Sequence, residues 1–261
     1  MGSMDTADTA PLPLAAQRQR NLPVGAALTW LGLGWHDLWR NPLPSLAYGF
    51  LVFIVSLAIV SGLLSLQLDY ILFPALAGFM VVGPLVAIGL YQKSRDIEAG
   101  RPTSLARMIF VKADSGAQVW FTGAILGLLM LAWMRAAVII YALFFGLRPF
   151  PGIDGIVAML LTTPQGWGML LVGTVVGGLF AAFSFAVSTF AIPMLLDRRM
   201  DAFTAMGTSI SLVWNNLPVM LAWGAIVLVL SLVSLATGLL GMIVVFPLLG
   251  HATWHSYRAI G

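Results

Sequence analysis

The sequence predicts an all-α membrane protein: six transmembrane helices arranged as three elbow-helix-plus-hairpin pseudo-repeats, with both termini cytoplasmic. Three observations lead there. Of 261 residues 60% are apolar and only 9% charged, against roughly a quarter charged in an average soluble domain. Apolar stretches of about 20 residues, enough to cross a hydrocarbon core of ~30 Å, recur six times. Basic residues crowd the connections on one side. A soluble globule is excluded, and with no cysteine in the chain so are disulfides, thiolate metal sites and cysteine nucleophiles.

In chain order, residues 1–25 read as a disordered cytoplasmic tail. They are polar and small, interrupted by Pro11 and Pro13, and lack the apolar run of a signal peptide. Residues 26–261 form the six-span membrane domain, with spans at 45–66, 71–92, 119–145, 166–196, 218–236 and 238–255. The connections at 67–70 and 237–238 are short enough to make antiparallel hairpins of the spans they join. Orientation follows from the cations. Arg18, Arg20 and Arg40, then Lys93, Arg95, Arg101, Arg107 and Lys112, then Arg198 and Arg199, and finally Arg258 all fall on one side, against Arg148 on the other and Arg135 inside a span. Cytoplasmic segments retain Lys and Arg, so both ends face the cytoplasm, and a five-span path would destroy the segregation.

Each odd-numbered span follows a short amphipathic segment. Leu28, Leu31, Trp35 and Leu38 recur at helical spacing opposite His36 and Arg40; Leu105, Met108 and Ile109 oppose Arg107; Phe203, Met206, Ile210 and Val213 repeat the pattern. These are predicted to be elbow helices lying in the membrane interface. Trp39-Arg40-Asn41-Pro42-Leu43 matches Trp214-Asn215-Asn216-Leu217-Pro218. Val81-Val82-Gly83-Pro84-Leu85 with Tyr91 and Arg95 aligns on Val244-Val245-Phe246-Pro247-Leu248 with Trp254 and Arg258. Pro193 before Asp197 and Arg198 is a looser copy. The shared Pro, aromatic and Arg positions indicate duplication, and Pro84, Pro193 and Pro247 each remove a helical hydrogen bond and should kink their spans. Gly173, Gly177, Ala181, Ser184, Ser188 and Ala191 form a small-residue stripe suited to close helix packing, and Gly123 and Gly127 form a shorter one.

Few residues could carry chemistry. His251 and His255 stand at i and i+4, a workable metal-ligand spacing, without the Glu of a zinc-protease motif. With His36, a three-imidazole copper or zinc site is geometrically conceivable; otherwise the sequence calls for no cofactor. Arg135, the one clear charge within a span, needs a carboxylate, carbonyls or water around it, with Asp69 and Asp154 as partners on the outer side. No carboxylate occupies the middle of a span, and no phosphate loop, dinucleotide fingerprint or catalytic triad is present.

Several stretches resemble the bacterial predicted integral membrane proteins grouped as domain of unknown function 2189. They are Trp30-Leu31 with Gly34-Trp35-His36-Asp37-Leu38, Pro44 to Gly49, Ile192 to Asp197, Trp214-Asn215-Asn216, and Phe246 through Arg258. Members of that family sometimes carry the label cytochrome c oxidase subunit I, whose haem and copper ligands outnumber the three histidines here. The resemblance implies a multi-pass protein of the bacterial inner membrane. The expected role is non-enzymatic: a scaffold, assembly factor or accessory subunit. Its partners would be anionic headgroups of the bilayer and a membrane protein or second copy, with no nucleic acid. The alternative is a small-solute transporter or metal-handling protein using Arg135 or His251 and His255.

Overall fold

The computed structural model describes residues 21–146 and 150–261, and what it describes is helical almost throughout. Most of the expected tail, with Arg18 and Arg20, and the lone opposite-side cation Arg148 lie outside the described residues. Helix α1 (Ala26–Arg40) turns at Asn41 into α2 (Pro42–Ser65). Pro42 starts α2 because a first-turn residue needs no amide hydrogen and its ring pre-sets φ. After a 3₁₀ turn at Asp69–Ile71 the chain returns through α3 (Leu72–Val86) and α4 (Ile88–Glu98). A short α5 (Leu105–Ile109), capped by the Ser104 hydroxyl, leads to α6 (Gly116–Phe145). Then follow α7 (Gly152–Thr162), α8 (Pro164–Ser188), α9 (Ala191–Asp197), α10 (Ala202–Asn215), α11 (Leu217–Ala236) and α12 (Met242–Ile260). Asp201 caps α10 by accepting the Thr204 amide at 2.9 Å, which also holds its carboxyl below the usual range.

Five helical segments are long and apolar enough to cross a membrane: Pro42–Ser65, Asp69–Glu98, Gly116–Phe145, Pro164–Asp197 and Leu217–Ala236. They coincide with the first five expected spans to within a few residues, with the second running on to Glu98. The segment expected as the sixth, α12, is not among them. Its second half carries His251, Thr253, His255, Ser256 and Arg258, polar groups that need protein around them in place of lipid. They have it: α12 is wrapped by α1, α2 and α4 and carries a buried face along most of its length. Helix α7 is an element the sequence reading left as connection; its apolar run is too short to span.

The kinks expected at the three prolines differ in outcome. The returning helix breaks at Ala87, three residues beyond Pro84, and at Thr189–Phe190, just before Pro193, whereas α12 runs unbroken through Pro247. The elbow helices leave part of their apolar faces uncovered. On α1 Leu28 and Trp35 are exposed, and the buried face is Ala27, Trp30, Gly34, Asp37 and Leu38. On α10, Phe203 and Ile210 are exposed while Ala202, Ala205, Met206, Ser209, Leu212 and Val213 are buried. The reason is the solvent: beside lipid, large apolar groups gain nothing by turning inward, and polar ones turn in to find partners.

The bundle thus has two unlike ends. Along the spans, large side chains such as Phe50, Leu128, Leu171, Val175 and Leu179 are exposed, as lipid contact requires. At the other end α1, α4, α5, α9, α10 and the second half of α12 close into a polar layer.

Candidate functional site

The polar layer is built where small residues let helices meet. A Cβ on Gly34 would lie 2.6 Å from the Ala252 amide nitrogen, and one on Gly250 would lie 2.5 Å from the Leu90 side chain. Gly49 is pressed in the same way against the Ile243 carbonyl, and Gly89 against the Met108 carbonyl and the Tyr48 ring. Helices α1, α2 and α4 therefore approach α12 and α5 at backbone distance. Side chains on their facing turns are forced into one another's reach.

What they form is a continuous hydrogen-bonded chain. Lys93 donates from Nζ to the Asn41 carbonyl and to Ser45 Oγ, each at 2.6 Å. Ser45 Oγ lies 2.9 Å from His251 Nε2, and His251 Nδ1 lies 2.9 Å from Ser94 Oγ. Ser94 donates to Asp37 Oδ2 at 2.7 Å, and His255 Nε2 reaches the same oxygen at 2.8 Å. Hydrogen counting fixes the direction. An ammonium only donates and a carboxylate only accepts, so Ser94 spends its proton on Asp37 and must accept from His251 Nδ1–H. Nε2 is then the acceptor for Ser45, which takes a proton from Lys93. Every hydrogen points from cation to anion, through one tautomer of His251. The chain is sealed: Lys93, Ser45, Ser94, Asp37 and His251 are each at most 4% exposed. Burial pushes the Asp37 carboxyl up, but the bonds from His255 and Ser94 and the charge of His255 outweigh it, and the group sits below its ordinary value.

Around this chain lies a ring of ion pairs. Asp96, itself buried, takes Arg101 at 2.8 Å, Arg107 at 2.9 Å, and the Gln92 amide. Arg95 bridges Asp114 and Asp197, donates to the Leu196 carbonyl, and is joined by Arg258, which pairs with Glu98 and Asp197. Arg198 donates to the carbonyl of Gly261. Cations from the 93–112 connection, the 198–199 connection and the C-terminal helix thus share one end of the molecule.

The proposed ligands fare unequally. His251 and His255 enter the network, but His251 has both ring nitrogens engaged by serines and His255 binds Asp37. His36 is exposed on α1 and joins neither. Among the described residues no group of three His, Asp or Glu is placed to hold a metal ion. Ser45 and His251 do stand in the relation of a nucleophile and its base. The hydroxyl, however, is fully buried, its lone pair is taken by Lys93, and Asp37 supports Ser94 and not the imidazole. Arg135 is exposed on α6, and among the described residues it forms no ion pair, with Asp69 or any other; the side chain of Asp154 lies outside the description. The stripe on α8 is an internal seam only in part. Gly177 meets Trp133 of α6, Ser184 and Ser188 bond to their own helix, Ala181 is exposed, and a Cβ at Gly173 would meet open space.

Sequence reasoning missed Asp37, Ser45, Lys93 and Ser94. A signal existed. Asp37 falls on the same face of α1 as Trp30 and Gly34, and Lys93 and Ser94 follow the second span directly, on α4.

The fold and this layer together define an all-helical integral membrane protein. The sequence model of the family described as "Predicted integral membrane protein (DUF2189)" matches residues 72–197, just under half of the chain, so the resemblance read from the sequence holds over that stretch. Ile192 to Asp197 falls inside it; the other stretches that suggested it flank it on both sides. No curated protein and no solved structure matches the chain.

Proposed function

We propose that this is a non-enzymatic scaffold, assembly factor or accessory subunit of the bacterial inner membrane, crossing it six times with both ends cytoplasmic. One observation carries the non-enzymatic reading. The polar residues that could do chemistry satisfy one another in a sealed layer, while the cavity between α2, α3, α11 and α12 is apolar. A transporter would need a polar path toward the bilayer midplane, and the lining of that cavity contains no charged side chain.

Supporting the six-span path, the α11–α12 connection is a tight turn with Gly238 and Leu239 at positive φ, and α12 returns to the end where α1, α4 and α9 lie. Support for the threefold unit comes from the elbow junctions: Asn41 and Asn216 both precede helices with Pro in the first turn. The basic residues of that shared end would meet anionic headgroups on the cytoplasmic face. Native mass spectrometry in mild detergent is the test. A stoichiometric membrane-protein partner or a defined oligomer is expected, and a monomer that carries no other polypeptide at any detergent concentration overturns the scaffold reading. Reporter fusions that put Arg101 and Arg198 on opposite faces overturn the topology.

A further inference from the structure

We propose that the membrane half of this protein holds one acyl chain of an anionic phospholipid in a slot between the α2–α3 and α11–α12 hairpins. Although α2 and α3 are neighbours in sequence, α2 packs chiefly on α12 and α3 on α6. They splay apart, and a cavity of about 700 Å³ opens between them. It falls in the range of ~300–1,000 Å³ typical of built ligand sites.

Its shape suits one kind of occupant. The lining follows α2 from Tyr48 to Leu63, roughly 22 Å at 1.5 Å per residue, an elongated apolar slot of the kind a methylene chain fills with its carbons ~4 Å from their neighbours. Chemistry narrows the choice further. The polar side chains of the lining are Tyr48, Ser56, Ser231 and Ser234. Tyr48 is spent on the Val86 carbonyl and Ser234 on the Leu230 carbonyl. A polar solute would find almost nothing to bond, whereas a hydrocarbon chain needs no partner.

The headgroup is placed by the slot's other end. Ile109 lines it there, on the elbow that is followed by Lys112, which is exposed; Arg107 of the same elbow is already held by Asp96. Among the described residues Lys112 has no carboxylate partner, so a phosphate would supply one. An anionic lipid lying with its head at this elbow has its chain directed along the slot. The inference requires only that the helices stand in lipid and holds whether or not the protein is a scaffold.

The test is native mass spectrometry and lipid extraction after exchange from vesicles of phosphatidylcholine containing phosphatidylglycerol of equal chain length. Wild type should retain one phosphatidylglycerol per chain through detergent washing, at least tenfold enriched over its share of the vesicle. Ser56→Trp and Leu76→Trp, which fill the slot, should lose it, and Leu171→Trp, on the open lipid face of α8, should not. The variant Lys112→Gln should keep a lipid while losing the preference for phosphatidylglycerol. Shortening the acyl chain should weaken retention by wild type itself, a measurement that stands even where a tryptophan variant does not fold. No retained lipid, or equal retention by Ser56→Trp, or indifference to chain length overturns the slot. Equal retention of the two headgroups by wild type overturns the anionic assignment. Release of a polypeptide, not a lipid, by Ser56→Trp shows the occupant to be a partner.

Discussion

The polar layer and the splayed membrane half are made from the same helices but held by different physics. In the layer, backbones touch through Gly34, Gly49 and Gly89, and nearly every buried polar atom has a named partner. In the membrane half, helix spacing is set by side chains such as Met130 against Gly78 and Trp133 against Gly177, and α2 and α3 leave a gap. The contrast follows from the medium. Lipid offers no hydrophobic drive to bring apolar helices together, so cohesion is concentrated where polar groups must find one another and where small residues permit contact. The layer acts as the clamp, and the spans are its arms.

Breaking the clamp should therefore have the largest effect. Asp37→Ala removes the acceptor at the end of the hydrogen-bonded chain, leaving the Ser94 hydroxyl hydrogen without an acceptor, His255 Nε2 without its partner and the Lys93 ammonium buried without its anion. The expected loss is about 3–5 kcal/mol, the usual cost of breaking a buried charge pair by removing one partner. Thermal unfolding in detergent, followed by helicity and size-exclusion, checks this. Adding Lys93→Met to Asp37→Ala should recover part of the loss, because a lone buried cation is then removed. Equal or greater destabilisation by the double variant would show that the two charges are not coupled through the serines and His251.

Glycine substitutions sharpen the comparison from the packing side. Gly34→Leu must push α1 away from Ala252 and should cost about 1–3 kcal/mol, the range for overpacking a tight contact. Gly173→Ala, which meets open space, should change stability by no more than about 0.5 kcal/mol. A reversal of that order, measured in the same unfolding assay, would place the critical seam on α8 after all.

How much of this was legible in the sequence follows from the same division. Span positions depend on local hydropathy and length, so the first five emerged nearly in register, and the Asn-Pro junctions at 41–42 and 216–218 marked where elbows end. The α8 stripe drew attention because its small residues recur within one helix. The glycines that matter most, Gly34 and Gly250, are isolated in sequence and acquire meaning only when α1 meets α12. The site was harder to read. On α1 the apolar positions Leu28 and Trp35 mark an outward face, and nothing local to the helix shows what the face carrying Asp37 will meet. His251 and His255 stood out by their i, i+4 spacing as candidate metal ligands, but spacing alone could not show that Ser45, Ser94 and Asp37 would occupy their nitrogens.

Acid should separate the two regions more gently. Asp37 has a depressed folded-state pKa, so its contribution to stability is complete above the ordinary carboxylate value near 4 and is lost as pH falls through the lower folded value. The stability gap between wild type and Asp37→Asn should accordingly be widest near neutral pH and narrow on acidification, as read from unfolding temperatures at a series of pH values. A gap independent of pH would mean that Asp37 contributes shape and not charge. The lining of the slot contains no carboxylate, and the slot should keep its occupant over the same range.

The smallest effect is expected at Arg135. It is nineteen residues from the start of α6, roughly 28 Å along the axis at 1.5 Å per residue, and ten residues, roughly 15 Å, from the end. A flexible arginine stem can lie along the apolar helix surface and carry its guanidinium toward the nearer interface. Because it forms no ion pair among the described residues, removing it breaks nothing that the fold depends on. Arg135→Leu should alter the unfolding temperature by the equivalent of less than about 0.5 kcal/mol and leave lipid retention unchanged. A larger loss of stability would reveal a carboxylate partner on the outer side. Unchanged stability with loss of a co-purifying protein would instead make the guanidinium the contact by which that protein is held, and the arms of the structure would carry recognition while the clamp supplies only rigidity.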